Sequence, residues 1–198
     1  KAILDQYEKQ TNKIEKINVI SVKEMSRLFG NESVTQGIVL KTLPLPVNNI
    51  KQVLLKLKSA ENSLIVVLDQ VTDPQNIGSI MRSCALFNCN TLIVAKDHAP
   101  NLTPALIKSA SGAVEVVDYI KVVNLKRTLE DLKKNDFWIY GLDSSKNNLK
   151  AIELPKKCVF VLGSEGKGIR DLNKKICDSL FSLPCKPNKF YKIDSLNV

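Results

Sequence analysis

Asn76, Gly78 and Arg82 crowd a single turn that follows the apolar run Leu64–Leu68. A second group, Gly163-Ser164-Glu165-Gly166-Lys167-Gly168, follows the apolar run Cys158–Leu162. A third, Ser195-Leu196-Asn197-Val198, closes the sequence. An amide, a carboxylate, a hydroxyl and a guanidinium can orient a substrate and stabilise developing negative charge. None of them needs a His or Cys nucleophile beside it. Each group also has a plainer reading. Asn76 can serve as a helix N-cap. Arg82 can be a surface charge paired with an acid. The glycine-rich loop can wrap an adenosine or a carboxylate with its exposed N–H groups, or be a surface turn.

Several common chemistries lack their residues. No GxGxxG follows the first strand, so the dinucleotide fingerprint is missing. Gly163 and Gly168 have the spacing of a phosphate loop, but Ile169-Arg170 follows them instead of Lys-Ser/Thr. Ser164 lacks the GxSxG setting of a hydrolase nucleophile. His98 is the only histidine and sits in the polar stretch Lys96–Pro100, a surface position. The cysteines Cys84, Cys89, Cys158, Cys177 and Cys185 form no CxxC pair, so no zinc set is expected. Their odd number and the lack of a visible leader suggest reduced thiols in a cytoplasm.

The elements that must position these residues follow from apolar periodicity. Leu64–Leu68, Thr91–Ala95, Ala113–Val117, Phe137–Leu142, Cys158–Leu162 and Leu180–Leu183 read as strands. Ile50–Leu57, Ile77–Phe87, Pro104–Ala110, Leu125–Lys134 and Ile169–Cys177 read as helices. Continuous apolar strands alternating with amphipathic helices predict an α/β fold, a mostly parallel sheet with helices on both faces. Earlier in the chain, Ile3, Leu4 and Tyr7 have helical spacing. Ile17–Val22 and Gln36–Leu43 read as strands. Ser21–Phe29 reads as a short helix stopped by Gly30. Leu43-Pro44-Leu45-Pro46 breaks regular structure. It is expected to divide a domain over residues 1–46 from one over 47–198.

The chain has 198 residues and a formal net charge of +9, with an isoelectric point near 9.3. Such a balance suits a polyanionic partner, because counterion release drives binding to phosphates. No apolar run approaches the roughly 20 residues of a membrane span.

From Ser63 to Val198 the chain resembles the SpoU (TrmH-like) RNA ribose 2′-O-methyltransferases of the SPOUT superfamily. Motif one is Asp69-Gln70-Val71-Thr72-Asp73-Pro74-Gln75-Asn76-Ile77-Gly78 with Arg82-Ser83. Motif two is Leu162-Gly163-Ser164-Glu165-Gly166-Lys167-Gly168. Motif three is Leu183-Pro184 with Ser195-Leu196-Asn197-Val198. Lys108–Ala113 and Phe137–Asp143 also resemble family segments. Val34–Val39 resembles the end of a small L30e-like RNA-binding α+β domain, of which only the tail is expected here.

The resemblance implies a C-terminal trefoil knot, bound S-adenosyl-L-methionine and a cytoplasmic homodimer that builds the site, without metal or membrane. It implies that Arg82 is the base or activator for a ribose 2′-hydroxyl. Asn76 and Glu165 would position Arg82 and the substrate, and Ser195 and Asn197 would complete the catalytic pocket. Cofactor contacts would come from Gly141, Leu142, Leu162, Gly163, Leu183, Ser195 and Leu196. The implied substrate is RNA, a guanosine of large-subunit ribosomal RNA ahead of transfer RNA. A rival reading is an inactive RNA-binding or ribosome-assembly protein. Two departures stand out. The loop Lys186–Asp194 is long, basic and free of Gly, and is read as an RNA contact, a change in cofactor access, or a tolerated insertion. The sequence also stops where the family's last helix is expected.

Overall fold

In the computed structural model, residues 17–30, 48–58, 60–143 and 153–182 are described, with a few positions between 35 and 45. The chain divides into two compact units, Lys1–Pro44 and Leu45–Val198. In the first, helix α1 (Val22–Phe29) begins because the Ser21 hydroxyl accepts from the Glu24 N–H at 3.2 Å. It ends because Gly30 adopts a φ of 83°. The strands expected over Ile17–Val22 and Gln36–Leu43 do not form at the described positions there. Ser21 caps a helix that takes Val22, and Gly37 turns the chain at a φ of 81°.

The second unit is built on β1 (Ser63–Asp69), β2 (Thr91–Ala95), β3 (Asp118–Val122), β4 (Trp138–Leu142), β5 (Lys157–Gly163) and β6 (Ser179–Phe181). All are parallel, in the order β3-β2-β1-β5-β4-β6. The connecting helices are α2 (Ile50–Lys58), α3 (Pro74–Leu86), α4 (Pro104–Ala110), α5 (Leu125–Lys133) and α6 (Asp171–Lys174). Alternate strand residues supply two apolar layers. Ile65, Val67, Ile93, Val159 and Val161 pack with Val53 of α2 and with Leu125, Leu129 and Leu132 of α5. Leu68, Leu92 and Val94 pack with Ile77, Met81 and Cys84 of α3 and with Leu106 of α4. Burial on both faces is why these strands read as unbroken apolar runs.

Two elements differ from the sequence reading. Ala113–Val117 was expected as a strand, but Ala113–Glu115 is one turn of 3₁₀ helix. Ser111 and Gly112 both take left-handed φ values, 50° and 90°, and wind the chain tightly there. The strand comes later, as β3, whose Asp118, Tyr119 and Lys121 are only half-buried because it lies at the edge of the sheet. The helix expected over Ile169–Cys177 is cut to α6. Asp178 ends it by donating its N–H to the Ile139 carbonyl at 2.7 Å and accepting the Ile139 N–H at 2.7 Å.

Candidate active site

β1 and β5 lie side by side, with Asp69 opposite Gly163. The chain leaves β1 toward β2 on one side and leaves β5 toward β6 on the other. The diverging connections open a crevice at the carboxyl ends of the two strands, the place where open parallel sheets bind ligands.

Asp69 closes the floor of this crevice. Its side chain is fully buried. One oxygen accepts the Arg170 N–H and the Asn173 side-chain amide, each at 2.8 Å, and the other accepts the Arg170 Nε–H at 2.8 Å. A carboxylate tolerates such burial only when it is paired and fully hydrogen-bonded. Gln70 then takes a φ of 64°, so the chain turns sharply out of the sheet.

α3 starts immediately beyond. The sequence places its cap at Asn76, but the cap is Asp73, whose carboxylate accepts the Asn76 N–H at 3.0 Å. Pro74 explains the earlier start, since the first helical position needs no N–H donor. The correction matters chemically, because Asn76 is then spared for another task. Its side-chain amide donates to Glu165 Oε1 at 3.0 Å, across the crevice. Motifs one and two therefore meet through the two polar residues expected to act together.

Glycines set the close approaches. A Cβ on Gly78 would lie 2.5 Å from the Leu106 carbonyl oxygen, so this glycine admits α4 against α3. The Ser109 hydroxyl seals that contact by donating to the Gln75 carbonyl at 2.8 Å. A Cβ on Gly163 would lie 2.0 Å from the Gly168 carbonyl carbon. The loop between them folds back on itself, the Gly168 N–H donating to the Ser164 carbonyl at 2.8 Å. Gly163→Ala must push backbone apart, so it is expected to destabilise the protein by roughly 1–3 kcal/mol. A urea titration checks this, and an unchanged midpoint would contradict so close a packing.

Arg82 stands further along α3, exposed, with no ion pair to any other described residue. Its six-residue offset from Asn76 at 3.6 residues per turn puts the two on different sides of the helix. Gly141 and Leu142 end β4 beside the Val161, Leu162 and Gly163 that end β5, with Gly141 opposite Val161. Leu183, Ser195, Leu196, Asn197 and the Lys186–Asp194 loop lie outside the described residues.

Among the described thiols, the bond to Cys89 and burial hold Cys84 protonated, burial raises Cys158, and burial pushes Cys177 up to about 11. The bond from Cys84 lowers Cys89 instead, but that thiol is fully buried, out of reach of a substrate. His98 is exposed, and no group of His, Cys, Asp and Glu among the described residues could hold a metal ion. No helix among the described residues is long and apolar enough to cross a membrane.

The sequence reading assigned no role to Asp69, Arg170 or Asn173. An Asp ending an apolar strand was the available signal, because so buried a position demands a cationic partner.

A 23S rRNA (guanosine-2′-O-)-methyltransferase, RlmB, of Neisseria meningitidis serogroup B is 39% identical over 140 residues, 70% of this chain and 54% of that protein. The RlmB of Coxiella burnetii is 36% identical over 185 residues, 92% of this chain and 72% of the relative. The chain thus spans about half the length of the first of these relatives. Among solved structures, the SpoU methyltransferase AviRb of Streptomyces viridochromogenes, in complex with AdoMet, has the same fold. It aligns with a TM-score of 0.61 at 24% identity, over 69% of this chain and 52% of that one. The crevice, with its Asn76–Glu165 link, falls within residues 63–198, which match the SpoU rRNA Methylase family, and the chain belongs to that family.

Proposed function

We propose that this protein transfers a methyl group from S-adenosyl-L-methionine to the ribose 2′-hydroxyl of a guanosine in 23S-type ribosomal RNA. The observation that carries the reading is the Asn76–Glu165 hydrogen bond, which joins two family motifs over the crevice. The names of the RlmB relatives supply the substrate.

The strand ends suit a nucleoside cofactor. Half-buried Leu142 and Leu162 provide apolar walls, and the peptide groups around Gly163 provide donors and acceptors. Gly141, Leu183, Ser195 and Leu196 complete the set. When bound, S-adenosyl-L-methionine supplies an electrophilic methyl group on sulfur. The chain's own residues must then make a poorly acidic hydroxyl attack. Guanidinium groups are cationic in proteins, so the part we assign to Arg82 is electrostatic: it stabilises the developing alkoxide and orients the adjacent phosphate. The Asn76–Glu165 link holds the crevice rim in place, and Ser195 and Asn197 complete the pocket.

Arg82 and Asn76 lie on different sides of α3 in a single copy, which supports a site completed by a second copy of the chain. We read the protein as a cytoplasmic homodimer with a C-terminal trefoil knot. In this reading residues 1–46 are the remnant of an L30e-like RNA-binding domain, and 47–198 form the methyltransferase domain.

The test is direct. The full chain is incubated with S-adenosyl-L-methionine and unmodified ribosomal or transfer RNA, and the nucleosides are identified by mass spectrometry. 2′-O-methylguanosine from ribosomal RNA is the expected product. Product from transfer RNA alone would move the substrate. No product and no bound cofactor would favour an RNA-binding protein without catalysis.

A further inference from the structure

The carboxyl edge of the sheet carries a second hollow, with a cavity of about 300 Å³. Its lining includes Asp97, His98, Val123, Lys126, Arg170 and Leu172. The size lies at the lower end of small-ligand sites, which run from roughly 300 to 1,000 Å³. It suits one nucleotide and not a duplex.

Its side chains have the chemistry of a nucleotide. Val123 is 78% and Leu172 62% exposed, two aliphatic groups held in water at a charged rim. They offer an apolar seat to a flat ring. Lys126 and Arg127 occupy the first turn of α5, where no acidic residue accompanies them. Cations are electrostatically misplaced at a helix start, and an incoming phosphate would relieve that cost. Lys96 and Lys121 extend the positive edge from the ends of β2 and β3. The Lys121 ammonium donates to the Ala99 carbonyl at 3.0 Å and to Asn101 Oδ1 at 2.9 Å, without a carboxylate partner among the described residues. Burial, and then the charge of Lys96, lower its pKa. The acids present are few. Glu130 lies 3.7 Å from Lys126 on an exposed helix face, and Asp97 lines the hollow. A carboxylate there can accept from a base N–H or a ribose hydroxyl.

Arg170 connects this hollow to the crevice. Its N–H and Nε–H bond Asp69 under the site, while its side chain, 42% exposed, lines the hollow. The hollow and the crevice therefore share one residue.

We propose that this hollow binds an unpaired nucleotide of the RNA substrate outside the methylated residue. Its base rests against Val123 and Leu172, and its phosphates face Lys126 and Lys96. The inference rests on the RNA-methylating reading for its ligand.

The test uses the full chain carrying Lys126→Glu and Leu172→Glu together. Both positions are more than half exposed, so folding is retained. A control, Lys51→Glu, reverses an exposed charge on α2. The start of that helix lies near the opposite end of β3, where Asn48 bonds Asp118. Binding of an unmodified ribosomal RNA fragment is measured against salt concentration, and cofactor affinity separately. The double variant is expected to bind RNA about tenfold or more weakly, with a shallower salt slope, because it loses one phosphate contact and one base contact. Its cofactor affinity and the control's RNA affinity should match wild type. RNA binding by the double variant equal to wild type, while wild type methylates, would overturn the hollow and leave the enzymatic reading intact. Wild type that binds RNA without methylating it, with binding lost in the double variant, would support the hollow and remove the enzymatic reading.

Discussion

Arg82→Ala is expected to slow methyl transfer by at least about 10²–10³-fold, the usual loss when a group that stabilises developing oxyanion charge is removed. Cofactor affinity should be unchanged, because the proposed cofactor contacts come from the ends of β4 and β5 and from the last segment of the chain. The fold should also survive. α3 is anchored by Ile77, Ile80, Met81 and Cys84, all buried, and Arg82 points away from that face. Alanine is the best helix former, so the helix loses nothing locally. Single-turnover rates with saturating S-adenosyl-L-methionine, beside the cofactor dissociation constant, separate the two effects. Arg82→Lys keeps the charge but loses the planar fork, and should fall between wild type and alanine. Near-normal turnover in Arg82→Ala would remove this residue from the mechanism.

Asp69→Ala should produce the largest stability change of any single substitution at the site. It leaves the Arg170 N–H and the Asn173 amide without their acceptor in the interior and strips Arg170 of its counter-ion. Breaking one side of a buried pair costs roughly 3–5 kcal/mol. Because the Arg170 side chain is 42% exposed and can turn to water, the lower end of that range, about 3 kcal/mol, is expected. The urea midpoint should drop without a change in the slope of the transition. Asp69→Asn, which keeps the shape and one acceptor oxygen, should lose less. A midpoint within error of wild type for Asp69→Ala would show that the three 2.8 Å bonds do not hold the strand ends together.

The sequence yields the frame of this site more readily than its joints. β2 and α4 fall at the residues expected from their periodicity, because each is bounded by a clear signal: Pro104 begins α4 and a polar stretch follows Ala95. The strand expected over Ala113–Val117 failed because Ala-Val-Glu-Val-Val has strand composition, while the two left-handed residues before it decide its path. β3 escaped notice because an edge strand need not be continuously apolar. The helix start at Asn76 was misplaced since both Asp73 and Asn76 are good caps, and Pro74 decides between them. The Asn76–Glu165 pair followed from the family resemblance, not from spacing. No periodicity links residues that meet only when β1 and β5 pair. Asp69 with Arg170 and Asn173 was hidden for the same reason.

That pairing has a consequence during synthesis. The Asp69 bonds join positions 101 and 104 residues apart. β1, β2 and β3 leave the ribosome one after another, and β5 follows only after the remaining intervening chain has been made. At about 5–20 residues per second, the inner edge of β1 waits roughly 5–20 s for its partner. Throughout that interval an apolar strand in the middle of the future sheet is an open edge, able to pair with any other extended chain. The same central position that creates the crevice makes its assembly the step most exposed to misfolding.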